Sequence, residues 1–204
     1  KRFKKRRIMG TMNGYNTGLR AREALERLKL GNDAYVNGQR FGDLSDARRL
    51  DTAEHGQNPY AVIVCCSDSR SIPEVAFSCG IGDIFVIRVA GNVIDNHQLG
   101  SIEYAASHLG IRLIVVLGHT HCGAVGAAIH HAPEGYVKTI TDEVLKAIGD
   151  EKDEYKAACL NAEGSVKRIE TSLEIQREES EHGLAVLPAI LDIETGKVRF
   201  LREL

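Results

Sequence analysis

Three short stretches of the chain are almost continuously apolar and β-branched: 60–66 (YAVIVCC), 84–89 (IFVIRV) and 113–117 (LIVVL). Runs of that length without polar alternation mark strands covered on both faces, as in a parallel sheet held between helices. Helical patterns surround them. Between 18 and 36, Ala21, Ala24, Leu25 and Leu28 recur at i, i+3, i+4 and i+7 with Glu and Arg between them, so an amphipathic helix opens the fold. Residues 98–109 and 122–131 read as helices before and directly after the third strand, with Gly110 ending the former. The polar segment 39–58 lacks a period and reads as a loop, whereas 138–181, rich in Glu, Lys and Ala, predicts two helices. A late strand pair at 184–191 and 197–201 turns at Thr195-Gly196, and Pro188 places it at an edge. The alternation predicts an α/β fold: a single domain over 18–204 with a parallel β-sheet core, flanking helices and an N-terminal helical arm. Residues 1–17 are expected to form a flexible basic tail.

Composition narrows the function classes. A chain of 204 residues suits one domain, and 26 basic against 28 acidic residues leave no footprint for nucleic acid or an anionic membrane. No apolar run approaches the ~20 residues that span a bilayer. The basic cluster from Lys1 to Arg7 is not followed by the apolar segment of a signal peptide. Five cysteines, an odd number, argue for reduced or metal-bound thiols rather than a secreted disulfide scaffold. The expected location is the cytoplasm, with room upstream of Lys1 for a targeting segment.

Two of the strands end in metal-binding residue types. The first runs into Cys66-Ser67-Asp68-Ser69-Arg70 and the third into His119-Thr120-His121-Cys122-Gly123. In open α/β sheets ligands bind outside the carboxyl ends of strands, so both loops can meet there. Cys66, His119 and Cys122 then form one candidate site. Two thiolates and an imidazole suit zinc, and three protein ligands with an open fourth position are the catalytic arrangement. Asp68 has two possible roles. As a fourth ligand it closes the site; held instead by Arg70, it leaves the metal a water whose pKa falls from about 15.7 toward 7. His121 is a weaker candidate for the imidazole ligand. Cys65, pointing to the opposite face, reads as core, as do Cys79 and Cys159. Gly91, Asn92, Gly118 and Gly123 read as backbone positions near the pocket. His97, His108, His130, His131 and His182 read as surface residues.

At these motifs the sequence resembles the β-class carbonic anhydrases, whose marks are a C-x-D-x-R loop and a later H-x-x-C-G loop. The likeness extends to 25–36, to GDIFVIRVAGN at 82–92, to SIEYA at 101–105 and to DIETGKVRF at 192–200. It implies a parallel sheet with flanking helices, one Zn2+ per chain on Cys66, His119 and Cys122, and Asp68 with Arg70 as the catalytic dyad. It also implies the reaction, reversible hydration of carbon dioxide to bicarbonate and a proton by hydroxide on zinc, in a homodimer or a higher oligomer of dimers. Val89 departs from the family, which carries Asn after the Arg of the second strand, and the late strand lacks the usual Gly and Tyr. The chain has no Trp, so a regulatory anion site built on one is not expected. Two other functions share the constellation: hydrolysis of carbonyl sulfide or carbon disulfide, and zinc binding without turnover.

Overall fold

The computed structural model describes residues 19–39 and 42–204. The expected basic tail at 1–17 lies outside the described residues. In chain order the first elements are α1 (Ala21–Val36), α2 (Asp46–His55), β1 (Ala61–Cys65), α3 (Pro73–Ala76), β2 (Ile84–Arg88), α4 (Asn96–Glu103) and β3 (Leu113–His119). There follow α5 (Gly123–His130), α6 (Val137–Ile148), α7 (Glu154–Glu170), α8 (Leu173–His182), β4 (Ala185–Leu191) and β5 (Val198–Phe200). None of the described helices is long and apolar enough to cross a membrane.

The five strands form one sheet in the order β2-β1-β3-β4-β5, with β5 the one antiparallel member. Helices cover both faces. Val62, Val64, Ile114 and Val116 pack against Ile102 of α4, against Ala162 and Val166 of α7 and against Ile175 of α8. On the opposite face Ile63, Cys65, Val115 and Leu117 meet Ala24, Leu25 and Leu28 of α1, the face that the apolar period selects. A single α/β domain results. The chain leaves β1 toward β2 on one side and leaves β3 toward β4 on the other, so the carboxyl ends of β1 and β3 flank the point where the winding reverses.

Several expectations are corrected. The supposed loop at 39–58 contains α2, a helix without a single buried residue. It is held by the Ser45 hydroxyl on the Arg48 amide and by the ion pairs Arg49–Asp46 and Arg48–Asp51, so it carries no apolar period. The segment 138–181 holds three helices rather than two. Gly149, at φ +57°, ends α6, the Asp153 carboxylate caps α7, and the Ser172 hydroxyl caps α8. β2 is half-buried, not covered on both faces, because it stands at the end of the sheet. β4 lies inside the sheet despite Pro188. That carbonyl accepts the Leu201 amide on the β5 side, one residue past the last ladder pair at Ala189, so the missing N–H falls at the end of the β5 ladder rather than within it.

Candidate metal centre

Cys66 follows the last residue of β1, and the alternation of a strand separates it from Cys65: Cys65 packs with Ile63 and Leu117, whereas Cys66 packs with Cys122, Val93 and Val125. β3 continues past the predicted end at 117 to His119, which is fully buried. Cys122 is the N-cap residue of α5. Their ligand atoms, two Sγ and one imidazole nitrogen, lie within 4.8 Å of one another.

The imidazole has a definite orientation. Nδ1 of His119 lies 2.9 Å from the carbonyl oxygen of Thr120. A carbonyl only accepts, so Nδ1 carries the hydrogen, and in the neutral ring Nε2 keeps its lone pair. That Nε2 is buried without a hydrogen-bond partner. A buried acceptor left unpaired is costly, and a cation between the two sulfurs relieves it. The donor set therefore fits zinc.

The thiols are polarised toward the same end. The Cys122 thiol donates to Cys66, and although burial opposes ionisation, the neighbouring His119 imidazole and the amides of Asp68 and Gly91 add to that bond and push the Cys66 thiol well below its usual range. Gly91 reaches the sulfur from φ +67°, and a Cβ there would come within 3.0 Å of the Cβ of Ala124. Cys122 is driven the other way by the same shared bond, by burial and by the neighbouring Cys66 charge. One proton shared between two sulfurs is the state a divalent cation displaces.

Asp68 faces Arg70 rather than the ligand group. Nε and Nη2 of Arg70 meet Oδ1 and Oδ2 at 3.0 and 2.8 Å, and the Arg70 amide adds a bond to Oδ1. These bonds hold the carboxyl well below the usual carboxylate range. Nη2 of Arg70 also reaches the carbonyl of His121, whose backbone sits at φ +56°, an uncommon conformation for a residue with a side chain. The His121 ring turns to Glu194, 3.6 Å away, outside the ligand group.

Two residues escaped the sequence reading. Arg88 at the end of β2 donates to the carbonyls of Cys66 and Asp68 at 3.2 and 2.7 Å, clamping the first loop. A charged residue in the apolar run IFVIRV was the available signal. Thr120 supplies the carbonyl that orients His119, and nothing local singled it out. Gly123 opens α5 as expected, its following amides facing the Cys122 sulfur. Cys79 is buried and Cys159 half-buried, both away from the centre.

The profile of the family described as carbonic anhydrase matches residues 61–198, more than half of the chain. The chain belongs to the β-class carbonic anhydrase family. A carbonic anhydrase of Mycolicibacterium smegmatis is 44% identical over 130 residues, covering 61% of this chain and 63% of that protein. Carbonic anhydrase 2 of Mycobacterium tuberculosis is 43% identical over the same shares. The match therefore spans somewhat less than two thirds of these relatives' length. Among solved structures, a tetrameric β-carbonic anhydrase from the ascomycete Sordaria macrospora superposes with a TM-score of 0.69 at 29% identity, over 76% of this chain and 87% of that one. The Coccomyxa β-carbonic anhydrase in complex with acetazolamide gives 0.66 at 27% identity, over 78% of each chain.

Proposed function

We propose that this chain is a zinc enzyme catalysing the reversible hydration of carbon dioxide, with Cys66, His119 and Cys122 as the ligands of one Zn2+. The observation that carries the reading is the convergence of two thiols on the unpaired Nε2 of His119 within 4.8 Å. Zinc held there supplies Lewis acidity, lowering the pKa of a water by several units. The chain's own residues do the rest. Asp68, kept ionised by Arg70, only accepts hydrogen bonds, so it orients a water in the site by its O–H. Its engagement with Arg70 supports an open fourth position. Arg88 and the His121 carbonyl hold that pair in place.

The surroundings suit a small neutral substrate. Val89, Val93 and Ile140 belong to the apolar cluster that contains Cys66 and Cys122, so the two thiols sit against apolar side chains. The half-exposed edge strand β2 and the tetrameric relative support a homo-oligomer built of dimers. The five free cysteines support a reducing compartment, the cytoplasm.

Stopped-flow measurement of carbon dioxide hydration by zinc-loaded protein between about pH 7 and 9 tests the reading, the window in which a zinc-activated water ionises. Turnover that disappears on chelation is expected. Absence of turnover with full zinc overturns it in favour of zinc binding alone, and faster turnover of carbonyl sulfide or carbon disulfide in parallel assays reassigns the substrate.

A further inference from the structure

We propose that Thr120 is a positioning residue, which ties the β4–β5 hairpin to the His119 imidazole and so decides which nitrogen of that ring faces the two thiols. Its effect on metal affinity rests on the zinc reading above, whereas its effect on the ring does not.

Thr120 makes three hydrogen bonds, one from each polar group that can reach a partner. Its amide donates to the carbonyl of Leu191 at 3.0 Å, continuing the β3–β4 pairing one residue past the register His119↔Leu191. Its hydroxyl oxygen accepts the Ile193 amide at 3.0 Å. Its carbonyl accepts Nδ1–H of His119 at 2.9 Å. The first two bonds hold the residue by main chain and side chain to consecutive parts of one loop. The third passes that position to the ring.

The hairpin is a firm anchor. Asp192 binds the Lys197 carbonyl through its amide, and its carboxylate accepts the amides of Glu194 and Thr195. From the far side Asn32, buried on α1, donates to the Gly196 carbonyl at 2.9 Å and accepts the Val198 amide at 2.8 Å. A continuous path thus runs from α1 through the hairpin to Thr120 and the ring.

Without the hydroxyl, the Ile193 amide loses its partner and Thr120 is tied to the hairpin through its amide alone, which loosens the 120–121 peptide that carries its carbonyl. If that peptide rotates, Nδ1–H becomes a buried donor with no acceptor in a side chain that has no solvent exposure. The ring recovers by turning or by moving its proton to Nε2. Either change removes the lone pair from the sulfur side.

Thr120→Val keeps shape and β-branching but deletes the hydroxyl; Thr120→Ser restores it without the methyl. In metal-free protein carrying 15N-labelled histidine, two-bond 1H–15N correlations report the His119 tautomer. The wild type and the serine variant are expected to show the Nδ1–H form, and the valine variant a loss of that form. Chelator competition is expected to give zinc affinity about 10–100-fold weaker for valine and near wild type for serine, the usual size of an outer-shell effect. Thr120→Ala replaces the valine variant if valine does not fold. A wild-type tautomer and wild-type zinc affinity in the valine variant overturn the proposal, as do equal losses in valine and serine. A wild type that binds no zinc refutes the metal reading while the tautomer still decides the role of Thr120.

Discussion

The carboxylate of Asp68 and the guanidinium of Arg70 meet as parallel forks, Nε on Oδ1 at 3.0 Å and Nη2 on Oδ2 at 2.8 Å, two residues apart in the chain. Both oxygens are engaged by Arg70, so the carboxylate is held outside the Cys66–His119–Cys122 cluster and kept charged. Asp68→Asn replaces an acceptor by an amide that also donates. We expect zinc content to be retained and carbon dioxide hydration to fall by at least about 100-fold, the lower bound for losing a positioned proton acceptor. Undiminished turnover at full zinc loading removes Asp68 from the mechanism. Arg70→Lys, which cannot form the fork, is expected to lose activity in the same direction.

The ligand assignment is tested by metal content alone. Cys66→Ala and His119→Ala are each expected to leave the protein substantially zinc-free after dialysis, measured by atomic emission. Chelation of the wild type is expected to lower its thermal midpoint, since a metal bound at about 1,000 times its dissociation constant stabilises the fold by about 4 kcal/mol. Full stoichiometry in both variants refutes the assignment.

Alkaline stability follows from thiols outside the centre. Burial pushes Cys65 up to about 12 and Cys79 up to about 11, and burial raises Tyr60, whose hydroxyl lies 3.2 Å from the Cys79 sulfur. In the unfolded chain a cysteine thiol ionises near pH 8.5, so above that pH the folded protein binds protons that the unfolded chain has lost. The sign is therefore a loss of stability as pH rises from about 9 toward 12. Urea midpoints across that range are expected to decline in the wild type and less steeply in Cys79→Ala; an equal slope in the variant contradicts the assignment.

Arg112 and Glu178 form an ion pair of 2.6 Å between the entry to β3 and α8, with side-chain exposures of 17% and 5%. Removing one member leaves the other charge largely buried. Glu178→Ala is expected to destabilise the protein by about 3–5 kcal/mol in urea unfolding. Arg112→Met with Glu178→Leu is expected to recover much of that loss, because two apolar residues leave no stranded charge. Loss of turnover per folded molecule in the double variant contradicts a purely structural role.

Much of this protein is written locally. The apolar runs around Val62, Val86 and Val115 are strands because a continuous β-branched stretch is stable where both faces are covered, and α1 is a helix because its four apolar positions share one face. Cys66, Asp68, Arg70, His119 and Cys122 are legible as a set because their spacing places them at two strand ends, where α/β sheets gather ligands. What could not be read depends on partners distant in sequence. α2 has no core to imprint a period, and its caps and ion pairs compete with many equally polar alternatives. Pro188 sits in an inner strand because β5 stops short of it, a fact held in the pairing of 189 with 200. Whether Asp68 turns to a metal or to Arg70 depends on Arg88 and the His121 carbonyl, which fix the loop from β2 and from beyond β3. Which nitrogen of His119 is free depends on Thr120, and Thr120 on a hairpin 73 residues downstream. Residue types and strand positions are set by short-range pattern; the direction in which each side chain points is set by hydrogen bonds that exist only once the sheet has closed.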